Sequence, residues 1–246
     1  QQLIEDRLEK NEQIMLFMNR RGYSNFVSCR SCGEAVKCPH CDVSLTLHNH
    51  SRLVCHYCGY AIAMPKTCPT CGSPYLAGFG VGTQKIEAMA GRMFPKARIL
   101  RMDLDTTSKK GGHEKILSAF SKHQADILIG TQMIVKGHDF PDVTLVGILA
   151  ADVSLYAPDY RSAERTFQLL VQASGRAGRA EKPGIAVIQT YMPDHYTIQT
   201  ASRQDYGEFF RQEMRFRRLM HYPPACHMLS IQTAGKEEEL LARIMD

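Results

Sequence analysis

The architecture of this chain is decided by residues 29–71, CRSCGEAVKCPHCDVSLTLHNHSRLVCHYCGYAIAMPKTCPTC. They hold eight of the nine cysteines in four pairs of the form Cys-x-x-Cys: Cys29/Cys32, Cys38/Cys41, Cys55/Cys58 and Cys68/Cys71. A turn of this form lets two thiolates converge on one tetrahedral metal ion, and two such turns complete a closed zinc site. The four pairs therefore predict two structural zinc ions, each bound by four sulfurs.

The spacing of the pairs favours a nested arrangement of the two sites. Between Cys41 and Cys55, apolar and polar side chains alternate on both sides of a turn. This pattern predicts a β-hairpin that brings the two inner pairs together, as in a zinc ribbon, and leaves the outer pairs to share the second ion. The sequential alternative would join Cys32 to Cys38 through only five residues, which is tight for two turns that face one metal.

Other uses of these cysteines compete with zinc binding. A disulfide framework is typical of secreted proteins, and a chain with an unpaired Cys226 and no visible signal peptide does not resemble one. A redox Cys-x-x-Cys normally occurs once, beside a strand and a helix. Histidines in the block could replace a sulfur, but with eight thiolates available we interpret them as surface side chains: His40, His48, His50 and His56.

Composition sets broad limits on the protein class. The chain has 246 residues, of which 44% are hydrophobic, an ordinary content for a folded protein with one large domain or two modest ones. No apolar run approaches the length of a transmembrane helix, so we expect a cytoplasmic protein without a membrane partner. The net charge of +5 permits a nucleic-acid partner without requiring one. The first residue is Gln1, within a helical pattern, and we expect a longer parent protein.

Outside the cysteine block, strands and helices alternate. Apolar runs of strand length predict strands at 14–18, 97–102, 126–130, 143–149 and 184–190. Between them, helical spacing predicts helices at 113–121, at 161–173 and after Thr83, its expected N-cap. The last of these presents an apolar face of Ile86, Met89, Ala90, Met93 and Phe94. This alternation predicts an α/β fold with a parallel sheet and right-handed crossovers.

The most informative string outside the cysteines is QASGRAGR, residues 172–179. Its glycines allow the backbone to approach a ligand closely, and its two arginines, Arg176 and Arg179, can converge on one phosphate. The string resembles motif VI of the superfamily 2 helicases and translocases. In the right order along the chain, NRRGY (19–23) resembles motif IV and GTQMIVKGHDF (130–140) resembles motif V.

The cysteine layout narrows this resemblance. Four Cys-x-x-Cys pairs placed after the NRRGY string, together with DLDTT (103–107) and HYPP (221–224), resemble the replication-restart primosomal helicases of superfamily 2. The resemblance implies a RecA-like helicase lobe 2 formed by residues 1–26 and 79–193. It also implies a two-zinc ribbon insertion at 27–78, followed by a linker helix and the start of a C-terminal domain at 194–246.

The resemblance also implies an activity and its partners. It implies an ATP-dependent helicase that moves 3′ to 5′ on DNA, binds branched forks and restarts replication by primosome assembly. The implied partners are forked and single-stranded DNA, primosome proteins and single-stranded DNA-binding protein. ATP and Mg would be cofactors, held mainly by a first lobe. The chain contains neither a P-loop nor an Asp-Glu-x-His box, so the isolated fragment is expected to be inactive.

Residue roles on the nucleotide side follow from motif positions in the resemblance. Arg176 and Arg179 would reach the γ-phosphate of ATP, with Arg179 as the arginine finger. Gln172 and Asp139 would couple the nucleotide to lobe movement. Gly137 would allow close approach.

On the DNA side, the resemblance implies that Thr131 and Lys136 contact the DNA backbone, together with Arg20.

An alternative function from a different class remains open. In that alternative the zinc ribbons bind DNA or protein, and the α/β part is a non-catalytic scaffold. A thiol-redox enzyme is a third hypothesis, which tightly bound zinc would exclude.

Overall fold

The architecture was obtained from a computed structural model, which describes residues 1–18, 26–48, 51–78, 82–108, 111–134, 139–178 and 182–229. The helices are α1 Gln2–Glu9, α2 Thr83–Met93, α3 Leu104–Thr107, α4 Gly112–Ser121, α5 Asp152–Leu155, α6 Ser162–Ser174, α7 Tyr196–Ser202 and α8 Tyr206–Leu219. The strands are β1 Gln13–Met18, β2 Val27–Cys29, β3 Thr46–His48, β4 Arg52–Val54, β5 Ala61–Ala63, β6 Leu76–Gly78, β7 Ile99–Met102, β8 Ile127–Gly130, β9 Val143–Leu149 and β10 Ile185–Ile188. No helix in these ranges is long and apolar enough to cross a bilayer.

A five-stranded parallel sheet with the order β10-β9-β1-β8-β7 forms the centre of the larger unit. The middle strand β1 is buried along its whole length. Because side chains alternate across a strand, Met15 and Phe17 enter one hydrophobic cluster, whereas Ile14, Leu16 and Met18 enter another. The sheet is therefore covered on both faces, and the predicted parallel α/β fold is confirmed.

Two details of the sheet unit differ from the sequence predictions. The last strand is shorter than predicted and lies at the sheet edge, where Ile185 is 38% exposed and Val187 is 39% exposed. In α2 the N-cap is Gly82, and Thr83 instead donates a hydrogen bond to Asp103 across 2.5 Å. An apolar run cannot distinguish an edge strand from a central one, since this depends on which strand pairs beside it.

The predicted apolar face of α2 is only partly buried. Ile86, Ala90 and Phe94 pack against the sheet, whereas Met89 and Met93 are each 45% exposed. The two methionines line a cavity of about 790 Å³ over the α2 side of the sheet. A helix on the surface of a sheet buries a stripe narrower than its whole apolar arc, so the outer methionines remain accessible.

The cysteine block forms a separate small unit between β1 and α2, from β2 to β6, which we call the zinc unit. Strand β2 pairs antiparallel with β6 at its base, and β3, β4 and β5 form an antiparallel three-stranded sheet. The predicted hairpin is therefore present as β3–β4, with β5 as an additional strand. Its small core contains Val27, Leu45 and Leu53, each fully buried. So few apolar residues rarely stabilise a unit of this size without metal ions or disulfides.

Candidate metal centres and motif sites

The eight paired cysteines form two separate tetrads. One contains Cys29, Cys32, Cys68 and Cys71, and the other contains Cys38, Cys41, Cys55 and Cys58; within each tetrad all sulfurs lie within 4.8 Å of one another. Cysteine Sγ atoms are 3.6 Å apart between Cys29 and Cys71, and 3.5 Å apart between Cys38 and Cys58. A zinc–sulfur bond of about 2.3 Å gives tetrahedral edges of about 3.8 Å. The donor set fits zinc, and the nested pairing predicted from spacing is confirmed.

The four turns share one backbone design. In each, the amide of the residue after the second cysteine donates to the carbonyl of the first cysteine, at 2.9–3.0 Å. These four residues all have positive φ: Gly33, Asp42, Gly59 and Gly72. Glycine adopts that conformation without steric cost, which explains its presence at three of the four positions. This pattern, Cys-x-x-Cys-Gly, was a local sequence signal that the prediction did not use.

The thiols of a tetrad have different acidities. Backbone amide hydrogen bonds lower the pKa of Cys29 to about 6, whereas burial raises the pKa of Cys32 to about 12. Burial also raises the pKa of Cys38 and of Cys41. Four thiolates this close together repel one another, so a cation between them is needed to make the fully ionised tetrad favourable. A divalent zinc ion would supply that charge and, by holding the turns together, stabilise the inserted unit.

Three hydrogen bonds made by tyrosines attach the zinc unit to the rest of the chain. The hydroxyl of Tyr156 donates to the carbonyl of Gly33 at 2.7 Å, and the hydroxyl of Tyr222 donates to the carbonyl of Cys41 at 2.6 Å. The amide of Tyr160 donates to the hydroxyl of Tyr57 at 3.1 Å. Each bond ends on or beside a cysteine turn. No local sequence signal indicated these contacts, because their partners lie more than 100 residues away in the chain.

Motif residues near the carboxyl ends of the strands belong to one edge of the sheet. Thr131 directly follows β8, and its amide donates to the carbonyl of Met102 at the end of β7, at 3.4 Å. Asp103 caps α3 beside it and accepts hydrogen bonds from Thr83 and Arg101. We call the side of the sheet on which β7 and β8 end the carboxyl edge. Two of the residues predicted to contact DNA, Arg20 and Lys136, lie outside the described residues.

The motif VI string lies at the opposite edge of the same sheet. The amide of Gly178 donates to the carbonyl of Val143, the first residue of β9, at 3.0 Å. Asp139, which is exposed, lies shortly before Val143 in the sequence. Gln172 is exposed on the last turns of α6, and the half-buried Arg176 follows this helix. Asp139, Gln172 and Arg176 thus lie in segments that lead to the amino ends of the strands, which we call the amino edge; Gly137 and Arg179 lie outside the described residues.

Glycine in motif VI has a packing role. Gly178 has φ +68°, and a Cβ added there would lie 2.2 Å from the backbone nitrogen of Gly184. A side chain at this position would therefore clash with the backbone of Gly184, which directly precedes β10. The sequence prediction assigned these glycines to close approach of a ligand, whereas in the described residues Gly178 allows two backbone segments to touch.

Known protein families match both the cysteine-rich part and the sheet part of the chain. The family described as "PriA DNA helicase Cys-rich region (CRR) domain" matches residues 38–62, and the "Helicase conserved C-terminal domain" matches residues 81–181. Among solved structures, the yeast DEAD-box splicing factor Prp28 has a TM-score of 0.41 at 13% identity, covering 93% of this chain and 35% of that chain. A likeness at that level carries no functional information.

Sequence relatives extend over nearly the whole chain. Replication restart protein PriA from Bacillus subtilis (strain 168) is 54% identical over 242 residues, which cover 98% of this chain and 30% of the relative. PriA from Synechocystis sp. is 49% identical over 234 residues, covering 93% of this chain and 28% of the relative. The chain therefore spans less than a third of the length of these relatives. By these similarities and its two tetracysteine centres, the chain belongs to the PriA family of replication restart proteins.

Proposed function

We propose that this chain supplies the second motor lobe and the zinc-binding unit of an ATP-dependent DNA helicase that restarts replication. The observation that carries the proposal is the separation of the motif residues onto opposite edges of one sheet. Within the motif V segment (130–140), Thr131 lies at the carboxyl edge, and Asp139 precedes β9, which begins at the amino edge with Val143. A lobe of this kind can bind DNA at one edge and face a nucleotide at the other.

On the amino edge, Arg176 and Arg179 would meet the γ-phosphate of ATP bound mainly by a first lobe. A guanidinium matches phosphate oxygens in a planar, bidentate geometry and stabilises the charge that builds during phosphoryl transfer. Mg, held with ATP by the first lobe, would neutralise phosphate charge. Gln172 and Asp139 would sense the nucleotide from the same edge. The backbone bond between Gly178 and Val143 fixes the string against β9, so nucleotide binding would move the lobe as a unit.

On the carboxyl edge, Thr131 would bind the DNA backbone together with Lys136 and Arg20. A short 3-10 helix, Gln132–Ile134, follows Thr131, and Ile134 is buried against the sheet. At the far end of the segment the buried Phe140 contacts the ring of Phe120 at 5.0 Å between centroids. Ile134 and Phe140 thus connect the two edges of the sheet through packed side chains. By this route, a change in the bound nucleotide would change how tightly the lobe binds DNA.

The whole protein is proposed to move 3′ to 5′, to act on branched forks in the cytoplasm and to assemble with primosome proteins and single-stranded DNA-binding protein. These parts of the proposal rest on the similarity to the PriA relatives. Their test is unwinding by the complete protein of forks whose single-stranded arm has 3′ or 5′ polarity. Equal unwinding of both polarities would contradict the direction.

The arginine assignment is tested in the complete protein by Arg176→Ala and Arg179→Ala. Both changes should lower the maximal rate of DNA-stimulated ATP hydrolysis by at least 100-fold and leave fork binding within about twofold. The matched control is Arg165→Ala on α6, because this exposed arginine pairs with Asp159 away from the amino edge. The 246-residue chain alone should show no ATP turnover, and measurable DNA-stimulated turnover by it would sink the two-lobe assignment.

A second candidate function is a DNA- or protein-binding module in the zinc unit. Lys37, Arg52 and Lys66 are exposed on it, and Tyr75 is 69% exposed. Basic and aromatic side chains on one small unit suit either DNA or a partner protein. Replacing Cys55 and Cys58 by serine should then reduce unwinding or primosome assembly more than ATP hydrolysis. Equal loss of all three activities would argue against a separate binding role.

A further inference from the structure

His48 and His56 form a close pair on the outer surface of the zinc unit. Their Nε2 atoms lie 3.2 Å apart, and their rings meet edge to face with centroids 5.1 Å apart. Both side chains are exposed. Neither belongs to a tetrad, since both tetrads are made of cysteine alone. We propose that this pair is a third metal site, a solvent-accessible two-histidine site for a divalent transition ion.

The distance between the two nitrogens suits shared coordination. A metal–imidazole bond of about 2.0–2.1 Å places two ligand nitrogens 3.2 Å apart at an angle of about 103° at the metal. This value lies between the tetrahedral and square-planar angles that zinc, nickel and copper adopt. Coordination through Nε2 leaves each Nδ1–H free to donate to water. Water would complete the coordination, so the ion would be exchangeable, unlike zinc in a closed tetracysteine site.

Backbone structure holds the two rings in position. His48 ends β3, where Leu47 faces Leu53 across the hairpin and the alternation of side chains directs His48 outward. His56 lies between Cys55 and Cys58, in a turn closed by the bond from the Gly59 amide to the Cys55 carbonyl at 3.0 Å. Zinc bound to that tetrad would fix this turn. Zinc in the inner tetrad would therefore help to hold His56 in place for the third site.

The geometry favours imidazole-preferring ions over hard cations. Neutral imidazole is a good ligand for nickel, copper and zinc, whereas magnesium and calcium prefer oxygen donors. Among first-row divalent ions, copper should bind this site more tightly than zinc or nickel. Binding would bridge the end of β3 to the turn after β4, and would therefore stiffen the outer end of the hairpin.

The test is a calorimetric titration of Ni²⁺ into the 246-residue chain at pH 7.5, with both tetrads saturated in zinc. A Cys226→Ser background removes the unpaired thiol as a competitor. One nickel ion should bind per chain, and zinc content should remain at two ions. His48→Ala and His56→Ala should each abolish the nickel site while keeping both zinc ions. Mg²⁺ at the same concentration should give no binding.

His221→Asn is the matched control, because this exposed histidine has positive φ, which asparagine tolerates, and lies in another segment. It should leave nickel binding unchanged. If an alanine variant loses zinc or fails to fold, paramagnetic broadening in the unaltered chain decides instead. Nickel should then broaden the ring-proton NMR signals of His48 and His56 first. Absence of a third binding event, or its survival in both alanine variants, overturns the proposal.

Discussion

Arg217→Met should cause a large loss of stability, because Arg217 holds the end of α8 onto the sheet unit through a buried ionic network. Its guanidinium donates to Glu213 and to Glu164, each at 2.7 Å, and to the carbonyl of Pro223 at 2.9 Å. It also lies 5.4 Å from the centre of the Tyr160 ring. Arg217 is 6% exposed and Glu213 is 4% exposed. Methionine would fill the volume but leave the Glu213 carboxylate buried without its cation.

The expected cost is set by the carboxylate that remains. Removing one partner of a buried ion pair costs about 3–5 kcal/mol. For a chain of this size, each kcal/mol lowers Tm by about 2–4 °C, so Tm should fall by about 6–20 °C. Glu213 would still accept a hydrogen bond from Tyr196, at 2.6 Å in the unaltered protein, which places the expected cost near the lower end. Adding Glu213→Gln removes the buried charge and should recover more than half of the loss.

The assay is urea unfolding followed by circular dichroism, with zinc content measured on every sample. Arg211→Met is the matched control on the same helix, since Arg211 pairs with Glu208 at the surface and should cost less than about 0.5 kcal/mol. A loss below about 1 kcal/mol for Arg217→Met, with both zinc ions retained, would refute the reasoning. So would a double variant less stable than Arg217→Met alone.

Three further outcomes are expected. Tyr222→Phe deletes the hydrogen bond to the Cys41 carbonyl and should cost about 1 kcal/mol in urea unfolding without releasing zinc; unchanged stability would contradict the contact. Gly178→Ala should cost more than about 2 kcal/mol by the same measurement, because of its positive φ and the backbone of Gly184; a neutral change would contradict the close contact between these two glycines. Burial, followed by the charge of Lys37, lowers the pKa of His195 from 6.5 to about 4. The unfolded state therefore binds the proton first, and stability should fall by about 3 kcal/mol between pH 6.5 and pH 4, a loss that is smaller in His195→Asn if the assignment is right.

Features set by short sequence spacing were predictable. The grouping of the eight cysteines into two nested tetrads followed from local turns and a hairpin between Cys41 and Cys55, and the structure confirms this grouping. The parallel order of strands followed from their alternation with helices. The glycine after the second cysteine was equally local, and Gly33, Gly59 and Gly72 show that it could have been used.

Features set by distant contacts were not predictable. Tyr156 and Tyr222 bind the zinc unit across 123 and 181 residues of sequence, and no periodicity encodes such a partner. The exposure of Ile185 and Val187 depends on β10 lying at the sheet edge. The separation of Thr131 from Arg176 onto two edges also appears only after folding, because α6 returns along the sheet and its last turn carries the start of the motif VI string.

The central claim is that DNA and nucleotide are bound at opposite edges of one lobe, and one steady-state ATPase experiment on the complete protein tests it most directly. ATP turnover is measured against DNA concentration for Thr131→Ala and Arg176→Ala. Thr131→Ala should raise the DNA concentration for half-maximal stimulation several-fold and keep the maximal rate. Arg176→Ala should lower the maximal rate by at least 100-fold and leave the DNA dependence unchanged. The reverse pattern, or the same change in both variants, would contradict the claim.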